Sequence, residues 1–141
     1  MTSLEQHHRA ERNNHVAVQS PFVAVVTGSS SGIGRAIAIE FASRGAAVLL
    51  HGRSNLAGIE QTVQAIQSRG QQHRTPPRVI MSDIQCPHAV YALAQAAFAW
   101  HGYVNVWVHA AGADVLTGES RGWSFERKLR ELWATDVHST L

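Results

Sequence analysis

The chain has one cysteine, one lysine, two tyrosines and four prolines, and these scarcities exclude several kinds of protein. A single thiol, Cys86, closes no internal disulfide, so the chain suits a reducing compartment and a cytoplasmic location is expected. No partner base adjoins Cys86, which reads as a helix-start packing residue rather than a nucleophile. Of the twelve basic residues all but Lys128 are arginines, they are scattered, and the net charge is only +2. No basic stripe therefore marks a nucleic-acid partner. Charged residues make up 16% of the chain, against roughly 25% in an ordinary domain. With 45% apolar residues, that excludes disorder over most of the length. No apolar run approaches the ~18 residues of a membrane span. Residues 1–20 also lack the apolar centre of a secretory signal. The nine histidines run from His7 to His138 with no cysteine or acidic cluster at ligand spacing, so no metal site is expected.

What is present is an alternation. At 141 residues the chain is one domain or a piece of one, read here as a flexible polar leader over 1–20 and a domain over 21–141. Phe22 to Val26 is a continuous apolar run, the mark of a strand buried on both faces. Residues 33–44 follow a helical period through Ile33, Ile37 and Phe41, and Gly45 closes them. Ala47 to Leu50 is a second buried strand, ending at His51-Gly52-Arg53. Ser54 is the expected N-cap of a helix carrying Ile59, Val63 and Ile66, with Gly70 at its end. Residues 71–77 hold Pro76-Pro77, a loop signal. A third strand covers Arg78 to Met81. Pro87 suits the first turn of a helix carrying Val90, Leu93, Ala94, Ala97 and Phe98. A fourth strand covers Val104 to Val108. A loop to about Gly122 leads to a last helix with Phe125, Leu129, Leu132 and Trp133 along one face. The order βαβαβαβα means an α/β fold with a parallel sheet. The four tryptophans are irregularly spaced and read as core or interface.

The most specific segment is Thr27-Gly28-Ser29-Ser30-Ser31-Gly32-Ile33-Gly34, which joins the first strand to the first helix. Gly28 lets the chain turn sharply off the strand. Gly32 and Gly34 clear side chains from where phosphates approach the backbone and helix packs on strand. Free N–H groups and the helix dipole favour an anion there, and the Ser30 and Ser31 hydroxyls add donors. The absence of Gly-Lys-Ser/Thr excludes a nucleoside-triphosphatase loop. Ile37 stands where the G-x-G-x-x-G fingerprint needs its third glycine, so that fingerprint fails too. The spacing that remains is G-x-x-x-G-x-G, placed where a dinucleotide would bind.

That spacing resembles the cofactor motif of the short-chain dehydrogenase/reductase family, classical type. Asp83-Ile84, after the third strand, resembles the family's Asp-Val pair, whose carboxylate holds the adenine amine and whose next backbone N–H faces the ring. His109-Ala110-Ala111-Gly112, after the fourth strand, resembles its Asn-Asn-Ala-Gly. Asp136-Val137 resembles the Asn-Val/Leu that supplies a structural and proton-relay asparagine. The resemblance covers about residues 21–141. It implies a Rossmann-type sheet, truncated after the fourth strand and its helix, with cofactor contacts from Gly28, Ser30, Ser31, Gly32, Ile33, Gly34, Arg53, Asp83, Ile84, His109, Ala110 and Gly112. It also implies a carbonyl or alcohol substrate and a possible homo-oligomer through the last helix.

The departures from the family carry expectations of their own. With His109 and Ala110 in place of two asparagines, a backbone role near the adenine ribose is kept, but a side-chain bond bracing the central strand is expected to be lost. His109 itself has two readings, a contact to substrate or cofactor and a satisfied loop histidine. Asp136 trades a neutral donor–acceptor for a charge. At the end of the second strand, where NAD-type sites place an acid for the ribose 2′-OH, stand Gly52 and then Arg53. A guanidinium pairs with a 2′-phosphate bidentately, so NADP(H) is favoured over NAD(H); Arg53 as a solvated loop charge is the other reading. Arg35 is either a helper there or a surface residue. The family's Tyr-x-x-x-Lys is absent, since Tyr91 is followed at that spacing by Gln95 and Tyr103 by Trp107. No catalytic residue is carried over other than Asp136, at the family's asparagine position. Two functions remain open: the cofactor half of an NADP(H)-dependent oxidoreductase, and a non-catalytic dinucleotide-binding or interaction module. A methyltransferase of related fold is disfavoured by Gly52.

Overall fold

Four strands form where the apolar runs fall, and the helices between them cover both faces of one sheet. The computed structural model describes residues 20–69 and 75–140. In order these are β1 (Val23–Thr27), α1 (Gly32–Ser43), β2 (Ala47–Gly52), α2 (Leu56–Ser68), β3 (Arg78–Met81), α3 (Pro87–His101), β4 (Val106–His109) and α4 (Phe125–Leu132). All pairings are parallel, in the order β3-β2-β1-β4. The expected parallel α/β fold of Rossmann type is the one observed. The chain leaves β1 towards β2 and β3 on one side and returns to β4 on the other. The crevice at the strand ends therefore opens between β1 and β4, where such sheets take their ligands.

β1 is central and its residues Val23 to Val26 are fully buried. On one face Val26, Val48 and Leu50 pack with Ala38, Ala42, Ile59 and Ile66 of α1 and α2. On the other, Val25 and Leu49 pack with Ile84, Leu93 and Ala97 of the β3–α3 segment. Burying one such branched side chain contributes about 1.5–3 kcal/mol, so the two clusters dominate the stability of the sheet.

Several local expectations are corrected. The cap of α2 is Asn55, not Ser54; its side chain accepts the Gly58 N–H at 2.9 Å. α1 turns Gly34, Ala38 and Ala42 to the core, while Ile33 is 76% exposed. Ile37 and Phe41 are only partly buried beside that core. β4 begins at Val106 rather than Val104, because the Asn105 side chain takes the Val23 N–H at 2.7 Å in place of a ladder bond. Cys86 is the N-cap of α3 and is exposed rather than packed. Phe98 is half exposed. The last helix changes winding: α4 passes into a π-helical turn, Trp133–Val137, and then a 3-10 turn, His138–Thr140. The loop before it contains a 3-10 turn, Gly118–Gly122. Phe125, Leu129 and Trp133 are exposed, and Arg127 stacks 3.8 Å over the Trp123 ring. The leader up to residue 19 and Gly70 lie outside the described residues.

Candidate functional site

The strand ends meet at a cleft of about 800 Å³. Its near wall is the glycine turn between β1 and α1, where two close approaches explain the residue type. Gly28 has a φ of +66°, and a Cβ on it would stand 2.5 Å from the Ala110 carbonyl oxygen. A Cβ on Gly34 would stand 2.4 Å from the Gly28 oxygen. Without a side chain at Gly28 the turn can lie against the segment after β4, and without one at Gly34 the start of α1 can close on the turn itself. Ser29 is buried and extends the β1–β2 ladder; its N–H donates to His51 O at 3.0 Å and its hydroxyl accepts the His51 N–H at 3.0 Å.

α1 begins at this turn. Its N-cap, Ser31, makes no side-chain cap bond, and its first turn has no acidic residue. By contrast α2 and α4 are capped by Asn55 and Ser124. The first N–H groups of α1 thus face the cleft without a protein anion, an arrangement that suits a phosphate. Arg35 is neither a cleft residue nor a loose surface charge. Its guanidinium donates to Thr62 Oγ1 and Gly58 O, at 3.1 Å each, and also to Ser30 O and Gln61. It ties the glycine turn to the start of α2. A Cβ on Gly58 would stand 2.4 Å from Ser30 O, so this contact is as close as those of the turn itself.

The cleft brings together most of the residues singled out in the sequence. Gly28, Ser30, Ser31, Gly32, Ile33 and Gly34 line it from the turn, Arg53 from beyond β2, Asp83 and Ile84 from beyond β3, and Ala110 and Gly112 from beyond β4. Arg53 is exposed, and among the described residues its guanidinium has no hydrogen-bond or ion-pair partner. Asp83 accepts the Gln85 N–H at 3.0 Å, while Ile84 is buried.

His109 and Asp136 do not line the cleft. The expected loss of a side-chain brace is overturned at His109. Its Nδ1 lies 3.2 Å from Thr27 Oγ1 in the central strand, and its Nε2 lies 3.3 Å from Ser139 Oγ and 3.4 Å from Thr135 O. An imidazole thus spans from the sheet to the last helix, a reach the shorter asparagine does not have. Both ring nitrogens of His109 thus have protein partners. Asp136 Oδ1 accepts the Ala113 N–H at 3.2 Å, holding the far wall.

Other cleft residues were not anticipated as site residues: His51, Ser54, Asn55, Ala113, Asp114 and Thr135. Asp114 ties its own turn, accepting from the Thr117 hydroxyl and from the Leu116 and Thr117 N–H groups, and these bonds lower its pKa. A reading of Asp-x-x-Thr as a side-chain turn would have found it. The His51 pKa is lowered, chiefly by burial. Tyr91 and Tyr103 are away from the cleft; Gln95 donates to the Tyr91 hydroxyl, and Tyr103 donates to Pro21 O. Among the described residues no group of three or more His, Cys, Asp or Glu could hold a metal ion. Among them, too, no helix is long and apolar enough to cross a membrane.

Residues 22–140 match the family described as short chain dehydrogenase. A 3beta-hydroxysteroid dehydrogenase 1 of Eggerthella lenta is 36% identical over 97 residues, covering 69% of this chain and 36% of the relative. The short-chain dehydrogenase/reductase homolog YusS of Bacillus subtilis is 35% identical over 89 residues, 63% of this chain and 78% of its own. Among solved structures, a metagenomic short-chain oxidoreductase in complex with NADP superimposes with a TM-score of 0.69 at 30% identity. That match covers 84% of this chain and 51% of the solved one. The chain thus spans about a third of the first curated relative and half of this structure.

Proposed function

Because the chain belongs to the short chain dehydrogenase family, we propose that residues 21–141 form a dinucleotide-binding unit that takes NADP(H) in preference to NAD(H). The protein containing it would be an oxidoreductase of carbonyl or alcohol substrates. The observation that carries this is the convergence of the glycine turn, Arg53, Asp83-Ile84 and Ala110–Gly112 on one cleft. When bound, the nicotinamide supplies a hydride acceptor or donor. The chain's own residues bind and orient it. The open N–H groups of α1 take the phosphates. Arg53, unpartnered and with Gly52 before it, pairs with a ribose 2′-phosphate. Asp83 and Ile84 meet the base, and the Ala110–Gly112 backbone meets the adenine-side ribose. The NADP in the metagenomic relative supports the same choice. A cytoplasmic location and a homo-oligomer through the exposed apolar side of α4 belong to this reading.

A second reading, a non-catalytic dinucleotide-binding module, is favoured by one observation: among the described residues no tyrosine or lysine lines the cleft. Calorimetric titration with NADPH and NADH, followed by an assay of NADPH oxidation with simple ketones, tests both. Tight NADPH and weak NADH binding is expected. Absence of binding by either cofactor overturns the first reading and the second alike. Turnover of NADPH by the chain overturns the module reading.

A further inference from the structure

We infer that His51 is a positioning residue for the base end of the cleft, holding the Ser82–Ile84 segment in place while its ring is neutral. The inference rests on the cofactor reading above for its effect on binding, but not for its structural part.

His51 is the penultimate residue of β2 and is 1% exposed. Val26 pairs with Leu50 and Thr27 with His109, so His51, Thr27 and His109 form one row across the strand ends. The His51 Nε2 lies 3.1 Å from both the carbonyl oxygen and the hydroxyl of Ser82. A carbonyl only accepts, so Nε2 carries the proton and Nδ1 is left as a bare acceptor. That Nδ1 is buried, with no partner among the described residues.

Ser82 is where the chain leaves β3 for the cleft. Its N–H donates to Gly52 O at 3.0 Å, and the next two residues, Asp83 and Ile84, line the cleft. The segment is then held from the other side by Gln85, whose amide donates to Glu131 at 3.0 Å and to Thr135 Oγ1 at 2.8 Å. The two ties differ in chemistry. An amide does not titrate, whereas an imidazole does.

A proton on Nδ1 would create a buried N–H with no acceptor, on a ring then charged. The Nε2–H bond to the Ser82 carbonyl and the Asp83 carboxylate of the segment favour the charged ring, His109 from β4 opposes it, and Thr27 is uncharged. Burial outweighs these and lowers the His51 pKa below its ordinary 6.5. A histidine with a depressed pKa supports the fold fully above 6.5, and that support is lost as pH falls through the folded value. The Nε2–H bond to Ser82 survives protonation, so acid acts through the buried charge and the unaccepted Nδ1–H: these drive the ring from its place and loosen Ser82–Ile84 while the Gln85 tie persists.

The test follows the amide signals of Ser82, Asp83 and Ile84 by NMR in the free full chain from about pH 8 to 5, with NADP⁺ affinity measured by calorimetry in parallel. Wild type, His51→Gln and His51→Leu are compared. The glutamine amide can donate to Ser82 but does not titrate. The three amides should move with the His51 ring in wild type and lose that transition in His51→Gln. NADP⁺ affinity should fall about tenfold more in wild type than in His51→Gln between about pH 7.5 and 5.5, a difference equal to one hydrogen bond. The 2′-phosphate of the ligand titrates in both proteins and cancels in that ratio. At pH 7.5, His51→Gln should recover part of the affinity that His51→Leu loses. An equal acid loss in wild type and His51→Gln, or His51→Leu binding as wild type does, overturns the inference. If wild type binds no NADP⁺ at pH 7.5 the cofactor reading fails, and the amides alone decide: a transition shared with His51 upholds its positioning role, and flat signals remove it.

Discussion

Thr27 Oγ1 stands 3.2 Å from His109 Nδ1 and 3.2 Å from each of the Ala110 and Ala111 amide nitrogens. Two N–H donors occupy its lone pairs, so the hydroxyl hydrogen goes to Nδ1 and His109 is the Nε2–H tautomer. One buried hydroxyl thus joins the central strand to the cleft wall and, through the imidazole, to the last helix. Thr27→Val keeps the shape but leaves three polar groups without a partner, at about 1–3 kcal/mol each where no water reaches them. Thr27→Ser keeps the hydroxyl and loses one methyl, about 1 kcal/mol. Urea unfolding of the two variants should rank valine well below serine in stability; equal losses would mean the hydroxyl carries nothing.

Gly28 is bounded by both conformation and space. A side chain there meets the cost of a positive φ, roughly 1–2 kcal/mol, and collides with the Ala110–Ala111 backbone, adding about 1–3 kcal/mol of overpacking. Gly28→Ala should therefore lower unfolding free energy by the order of 3 kcal/mol. Because the collision is with the cleft wall, dinucleotide affinity should fall as well, measured under conditions where the variant is still folded. A variant of wild-type stability would contradict the approach described.

These two positions differ in how far the sequence reveals them. A glycine reports its own backbone, so the spacing Gly28-x-x-x-Gly32-x-Gly34 announces a turn without any knowledge of the rest of the chain. The sheet was equally legible, since β1 and β2 are unbroken apolar runs and only a strand buried on both faces needs that. Side-chain partners from distant segments were not legible. Arg35 is satisfied by Thr62, Gly58 and Gln61 of α2, and nothing in the local sequence identifies them. Ile33 fits the helical period, but the period does not tell that the first turn of α1 stands over the open cleft with no sheet beneath it. His51 ends an apolar run and reads as a strand end until Ser82 is seen beside it. From sequence His109 reads as forfeiting a brace because it is not the family's asparagine; the longer imidazole finds different partners.

The cap of α2 gives a small, sharp contrast. Asn55 Oδ1 accepts the Gly58 N–H, whereas Ser54 precedes the helix by two residues. Asn55→Ala should cost about 1 kcal/mol, the usual value of an N-cap, and Ser54→Ala almost nothing. Thermal unfolding of both variants settles the order, and a larger loss at Ser54 would return the cap to that residue. Asn55 also lines the cleft, so its variant should lose both stability and some ligand affinity, whereas Arg53 substitution should lose affinity alone.

Arg53 is the point where cofactor choice is decided. Its guanidinium is exposed and without a partner among the described residues, so its removal should leave stability within about 0.5 kcal/mol of wild type. A charged hydrogen bond to a 2′-phosphate is worth about 1.5–3 kcal/mol, which is roughly a 10–100-fold loss of NADPH affinity in Arg53→Ala. NADH carries no such phosphate and should bind the variant as it binds wild type. The exposed position adds a second signature: the NADPH preference should shrink as salt rises, since solvent-exposed charge pairs are screened over about 10 Å at 0.1 M. Calorimetry with both cofactors at two ionic strengths reads all of this at once. Equal losses for NADPH and NADH would make Arg53 a general wall of the cleft, and no loss for either would leave it a solvated loop charge.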